Sequence, residues 1–66
     1  MSNRIPRNFK SITATFNHGN AKGVRMIITK DDTGYHGREV ESGKMWAIFP
    51  SHLRNSELVT IENIEK

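Results

Sequence analysis

Within residues 9–16, apolar and hydroxyl-bearing residues alternate from Ser11 onwards, and Phe9 falls on the hydroxyl-bearing side. Ile12, Ala14 and Phe16 occupy one set of positions, and serine and threonine fill the positions between them. Alternate residues of an extended chain point to opposite faces, so a repeat of two predicts a β-strand with one apolar face. This segment therefore predicts the first strand of a sheet.

A second apolar run, residues 24–29, places Val24, Met26 and Ile28 on one face and Ile27 on the other. It predicts a second strand whose two faces are both partly covered, as happens where a small sheet curls on itself. The connecting residues 17–23 contain two glycines and two asparagines, which favour left-handed backbone angles and predict a loop.

Glycine-bearing turns divide the next part of the chain. Residues 30–34 predict a turn, and residues 35–41 predict a weaker strand that Gly37 interrupts with a bulge or a bend. Ser42 and Gly43 predict a tight hairpin turn.

The last part of the chain predicts two more strands. Residues 44–49 form one of them, and Pro50 ends it. Residues 51–54 are too few for a stable α-helix and predict a single 3₁₀ turn, after which residues 57–64 form the last strand.

The core-facing sides of these two strands are less clear. A lone tryptophan in so small a domain favours Trp46 as a core residue, but Met45, Ala47 and Phe49 alternate and look like the deeper face. If those three fill the core, Trp46 and Ile48 turn outwards or lie beneath a tail.

In the last strand, the same rule puts Leu58 and Ile64 on one side and Val59 and Ile61 on the other.

Size and composition narrow the class of protein. A chain of 66 residues makes one domain and buries only ~60% of the surface of its unfolded form. It has no cysteine, which excludes disulfides, cysteine–zinc sites and iron–sulfur clusters. No segment approaches the ~20 apolar residues of a membrane span, and no apolar stretch follows the basic N-terminus, so we expect a cytoplasmic protein with no membrane partner.

Charge is distributed unevenly. Residues 1–30 carry six basic side chains and no acidic one, whereas residues 31–66 carry four basic and seven acidic side chains. A split of this kind predicts one surface that meets an anion and another that stays solvated.

Catalytic and metal-binding patterns are missing. No serine lies in a recognisable nucleophile elbow, and His18, His36 and His52 lack the spacing of a zinc site, so we interpret them as solvated histidines. The sequence predicts a protein that is not an enzyme and has no metal and no cofactor.

Two motifs resemble known small barrels. Residues 24–38, with the glycine pair Gly34 and Gly37, resemble a degenerate KOW motif, in which Lys30 and Thr33 replace a glycine and a basic residue. Residues 48–53 resemble the strand, proline and 3₁₀ turn that precede the last strand of SH3-like barrels.

The resemblance implies an all-β fold, a five-stranded SH3-like barrel over residues 9–66, preceded by a flexible basic arm at residues 1–8. Proline-rich peptide binding is not expected, because Trp46 stands only four residues before Pro50 and Leu53 replaces the usual tyrosine.

The functional prediction is a small nucleic-acid-binding module, for DNA or RNA. Its expected contacts are six cations for phosphates and three residues of the glycine-pair region for stacking or polar contacts: Arg4, Arg7, Lys10, Lys22, Arg25, Lys30, Tyr35, His36 and Arg38.

The alternative is a protein-interaction module, an adaptor or inhibitor of a larger complex. It would use an exposed patch at Trp46 and Ile48. The chain is expected to be a monomer or a weak homodimer.

Overall fold

The computed structural model describes residues 3–66; the first two residues of the predicted arm lie outside this range. The chain forms one antiparallel sheet of five strands, which confirms the all-β prediction. The elements in chain order are β1 (Ser11–Phe16), a 3₁₀ turn (Gly19–Ala21), β2 (Arg25–Asp31), β3 (Gly34–Glu39), β4 (Met45–Ile48), α1 (Pro50–Leu53) and β5 (Val59–Glu65).

The strand order is β4-β3-β2-β1-β5, so β4 and β5 are the two edges of the sheet. These edges are not paired with each other, and the sheet is open. Closure into a barrel therefore stays a prediction.

Strands β1 and β2 build the centre of the core. Ile12 lies opposite Ile28 and Ala14 opposite Met26, and all four side chains are buried. This face was predicted correctly. The predicted partial cover over the second face of β2 stays a prediction; Ile27 lies on this face and is 41% exposed. We call this exposed side of the sheet the outer face.

Gly37 decides how β3 and β4 pack. It does not form the predicted bulge, because it pairs regularly with Ile28 on one side and Trp46 on the other. A Cβ atom on Gly37 would lie 3.0 Å from both Ile48 Cδ1 and Met26 Sδ. The missing side chain makes room for Ile48 in the core.

Of the two predicted orientations of β4, the one that fills the core with Met45, Ala47 and Phe49 is therefore wrong. Ile48 is buried and Trp46 is half-buried against the core, whereas Met45, Ala47 and Phe49 are exposed. Both sets of alternating positions are apolar, so alternation alone does not choose between them. The space that Gly37 leaves free selects the face of β4 that carries Ile48 as the inward one.

A β-bulge also changes the predicted faces of β5. The pairing with β1 shifts so that Ala14 lies opposite Ile61 and Thr13 opposite Asn63, which leaves Glu62 as an extra residue. Because of this extra residue, Ile61 and Ile64 both lie on the inner face, and both pack against the core. The sequence separates these two residues by an odd step, so simple alternation assigned them to opposite faces.

A single helical turn, α1, connects β4 to β5. The Leu53 N–H donates to the Phe49 carbonyl at 3.1 Å, which is the spacing of an α-helix, and Pro50 occupies the first turn, where no N–H is needed. Residues 51–54 thus lie in an α-turn instead of the predicted 3₁₀ turn. The 3₁₀ turn of this fold is Gly19–Ala21.

The N-terminal segment lies against the inner side of the sheet. The side-chain amide of Asn3 donates to the carbonyls of Leu53 (3.0 Å) and Val59 (2.9 Å), and Ile5 packs against the core. These contacts join α1 to the start of β5 at the open side of the sheet. The predicted flexibility of residues 1–8 stays a prediction.

Within residues 3–66, no helix has the length and apolar character needed to cross a membrane.

Candidate nucleic-acid interface

Cations and aromatic rings meet where β1 begins and β2 ends. The Phe9 and Tyr35 ring centroids are 6.1 Å apart, and Lys30 Nζ lies 5.6 Å from the centre of the Tyr35 ring. Arg7 and Lys30 line a shallow groove of about 280 Å³ beside Phe9. Continuing the register of β1 and β2 by two residues places Lys10 opposite Lys30. We call Arg7, Phe9, Lys10, Lys30 and Tyr35 the basic end.

The cations of the basic end are available to a ligand. Arg7, Lys10 and Lys30 are exposed. Among residues 3–66, the close contacts between basic and acidic side chains join Arg25 to Glu62 and His36 to Asp31. Neither contact involves Arg7, Lys10 or Lys30.

Asp31 lies next to this cluster, but its carboxylate is bound on the outer face. Asp31 Oδ1 accepts bonds from the Thr33 backbone N–H (2.8 Å) and hydroxyl (2.6 Å), and His36 Nε2 lies 3.2 Å away. These bonds, led by the Thr33 hydroxyl, hold the pKa of Asp31 below its ordinary value. Asp32 also borders the groove and adds a second negative charge.

The other predicted cations do not join the basic end. Arg25 Nε binds Glu62 Oε1 at 3.1 Å, and the Glu62 carboxylate also accepts a bond from Thr15. Arg38 lies on the outer face between Ile27 and Met45, in register with both. Since Arg25 is already paired with a carboxylate, it is a poor phosphate ligand.

Two further cations lie elsewhere. Lys22 follows the 3₁₀ turn at the opposite end of β2. Arg4 is exposed and shares a shallow surface with Ile64 and Lys66 near the end of β5. The structure thus brings together three of the nine predicted contacts, namely Arg7, Lys30 and Tyr35. Lys10 adjoins them only by continuation of the β1–β2 register, and Arg4 lies earlier in the same N-terminal segment.

The chain matches no protein-family model, no curated protein and no solved structure. Its function must therefore be argued from its own geometry.

A second cluster of aromatic rings lies beside β4. The Phe49 and His52 centroids are 5.3 Å apart, those of His52 and His18 are 5.0 Å apart, and Phe16 and Trp46 complete the wall of a groove of about 180 Å³. We call this the aromatic groove. Phe49 is 63% exposed at its mouth.

Trp46 is fixed at the edge of this groove by Glu39. The indole Nε1–H donates to Glu39 Oε2 at 2.5 Å, and Lys44 Nζ lies 4.7 Å from the centre of the indole ring. The bond from Trp46, together with one from the Ser42 hydroxyl at 2.9 Å, holds the pKa of Glu39 below its ordinary value. Trp46 is thus a structural residue with one edge facing the groove.

The predicted protein-interface pair is divided by the fold. Ile48 is buried in the core, and Trp46 is half-buried. The exposed apolar side chains of this region are Met45 and Phe49, on the other face of the strand or just beyond it.

The three histidines have different surroundings. His18 and His52 contact each other, and His18 Nε2 is buried without a hydrogen-bond partner, so the interpretation of His18 as a solvated histidine was wrong. His36 lies on β3, with Nε2 2.8 Å from Thr33 Oγ1. Among residues 3–66, no three histidine or acidic side chains converge as a metal site would require.

Sequence reasoning missed Phe9, Phe49 and His52 as members of these surfaces. Phe9 stood out of phase with the alternation of β1, and this was the one signal that it faces something other than the neighbouring strand. Phe49 and His52 gave no signal, because their exposure depends on the orientation of β4 and on the turn of α1.

Proposed function

We propose that this protein is a small non-catalytic nucleic-acid-binding module that contacts phosphates through the basic end. The observation that carries the proposal is the meeting of Arg7 and Lys30, which form no ion pair with any described residue, with the Phe9–Tyr35 ring pair. Lys10 joins them where the register of β1 is continued beyond its paired residues. Cations supply salt-dependent attraction to phosphates, and aromatic rings offer a face on which a base can stack. A cytoplasmic location belongs to the same proposal.

The test is a titration of labelled single-stranded DNA, RNA and duplex DNA at several salt concentrations. We expect binding at low salt that weakens as salt rises, because counterions are released from each neutralised phosphate. Binding that is absent at low salt, or that does not change with salt, contradicts the proposal.

Paired charge variants locate the site. Lys10→Ala with Lys30→Ala should weaken binding and lower the salt slope by about 1.4 for a single strand, since each phosphate contact contributes ~0.7. The control is Arg38→Ala with Arg54→Ala, which also removes two positive charges, one from the outer face and one from the end of α1. It should change the salt dependence of binding little. Asp32→Asn should strengthen binding, because it removes a negative charge at the groove.

We further propose that the fold is a partly open SH3-like barrel with a degenerate KOW motif. The strand order, the single turn of α1 between the two edge strands and the position of Gly34 and Gly37 in β3 support this. The gap between the edges is spanned by α1 and by Asn3.

One observation favours a second function, protein binding through the outer face. Ile27 and Met45 are 41% and 61% exposed and flank Arg38 in register across three strands, which makes an apolar patch around a cation. A partner retained from nuclease-treated lysate by the native chain, and lost by Ile27→Ser with Met45→Ser, would favour this function.

A further inference from the structure

We infer that the aromatic groove receives an unstacked nucleobase of a single-stranded nucleic acid whose phosphates lie along the basic end. This inference rests on the proposed function and adds to it the strandedness of the target. Duplex bases are stacked and paired, so only a single strand offers a free base to a groove of this kind.

The walls of the groove suit a planar ring. Aromatic side chains from three parts of the chain surround it, from the end of β1, from β4 and from α1. Phe49 and His52 lie at a steep angle of 69° to each other, so a base that stacks on one ring meets the edge of the other. Stacking tolerates every base, since each has a π face.

The charges around the groove also suit a nucleic acid. No acidic residue lines it. The Glu39 carboxylate, bonded to the groove residue Trp46, is held by Trp46 Nε1 and by the Ser42 hydroxyl. Lys44 Nζ lies over the Trp46 ring, and Lys22 follows the 3₁₀ turn that forms another wall, so two cations stand near the groove for the flanking phosphates.

One polar atom of the groove residues lacks a partner. His18 Nε2 is buried and makes no hydrogen bond to any described residue. The edge of a base carries both donors and acceptors, and a base entering beside His18 would offer this nitrogen a partner that a purely apolar side chain would not.

The groove and the basic end adjoin each other. Tyr35 of the basic end lies opposite Ile48, and Phe49 is the next residue along the chain. Ile48 lines the groove, so the start of β3 and the end of β4 connect the two surfaces, and we expect one strand of nucleic acid to contact both. This continuity is the reason to assign one ligand to two clusters.

Trp46 provides the test, because it is the single tryptophan of the chain and lines the groove. The probe is oligothymidylate of about 12 nucleotides, within the ~4–16 nucleotides that small single-strand-binding domains cover. We expect it to change Trp46 fluorescence on binding, whereas a duplex of the same length should not.

Variants at the mouth of the groove complete the experiment. Phe49→Ala should weaken oligothymidylate binding by about tenfold, the effect of losing one stacking ring, and Phe49→Tyr should retain it. Met45→Ala is the matched control, because Met45 is as exposed as Phe49 but lies on the outer face. Its binding should equal that of the native chain.

The outcomes separate this inference from the proposed function. Salt-dependent binding without a change in Trp46 fluorescence, and with Phe49→Ala unaffected, overturns the groove assignment and leaves phosphate binding at the basic end. No binding at low salt overturns both. If an apolar aromatic peptide changes Trp46 fluorescence and oligothymidylate does not, the inference that the groove receives a nucleobase is overturned. The groove is then assigned to a protein ligand.

Discussion

Single residues with several roles hold the functional surfaces in place. Glu39 is the clearest example, because its carboxylate accepts bonds from Trp46 Nε1 and Ser42 and so fixes the indole at the rim of the aromatic groove. Asp31 plays a similar part on the other side of β3, where Thr33 and His36 hold it towards the outer face. These two carboxylates thus accept bonds from Thr33 and Ser42, which lie in the turns on either side of β3.

The bonds to Glu39 predict a response to acid. The lowered pKa of Glu39 means that its ionised form stabilises the fold above its ordinary pKa of 4.5, and that this contribution is lost as the pH falls through the lower folded value. We expect Trp46 fluorescence and the free energy of unfolding to change in this range. Glu39→Gln keeps an acceptor for the indole but cannot titrate, so its tryptophan signal should stay flat there.

The acid titration of the native protein is compared with that of the Glu39→Gln variant. Other carboxylates titrate in both proteins, so the difference between the two profiles isolates the contribution of Glu39. Identical acid profiles of Trp46 emission would show that the bond to Glu39 does not control the position of the indole.

At the scale of elements, the fit of β4 onto β3 depends on the absence of a side chain at Gly37. We expect Gly37→Val to destabilise the fold by about 1–3 kcal/mol, because a branched side chain there would overlap Ile48 and Met26. Urea unfolding measures the change. The control is Ala47→Val, which adds the same kind of side chain at an exposed strand position and should stay within ~0.5 kcal/mol of the native protein. Equal stability of the two variants would contradict this packing.

The sequence predicts the elements well where one face is apolar and the other is not. Alternation in β1 identified Ile12, Ala14 and Phe16 as core residues, and the structure buries all three. In β4 both faces are apolar, and the inward face is selected by Gly37 of another strand. A local pattern does not contain that information.

The faces of β5 were missed for a different reason. A bulge at Glu62 changes the phase of the strand between Ile61 and Ile64, and nothing in the surrounding composition marks the extra residue. The bulge becomes visible only when β5 pairs with β1. Strand pairing therefore decides what the alternation of a single strand leaves open.

The candidate site was predictable only in part for the same reason. Charge asymmetry pointed to the N-terminal half, and the basic end draws its cations from there. Its assembly depends on the N-terminal segment that brings Phe9 to Tyr35 and on the end of β2 that places Lys30 beside the same ring. Arg25 belongs to the same basic half, but the bulge brings Glu62 to it and neutralises it.

At the scale of the whole molecule, the sheet has two sides with different properties. The inner side carries the core, the basic end and the aromatic groove, and the N-terminal segment and α1 cover it in part. The outer face carries Ile27, Arg38 and Met45, and all three are exposed. The two proposed functions, nucleic-acid binding and protein binding, therefore use different sides of one small sheet.

Mapping of backbone amide chemical shifts with oligothymidylate at low salt distinguishes these two sides most directly. We predict that the largest shifts occur at Lys10, Lys30 and Tyr35 and continue to Phe49, while amides of the outer face stay within the general background. Shifts centred on Ile27, Arg38 and Met45, or no shifts at all, would contradict the assignment of nucleic-acid binding to the inner side.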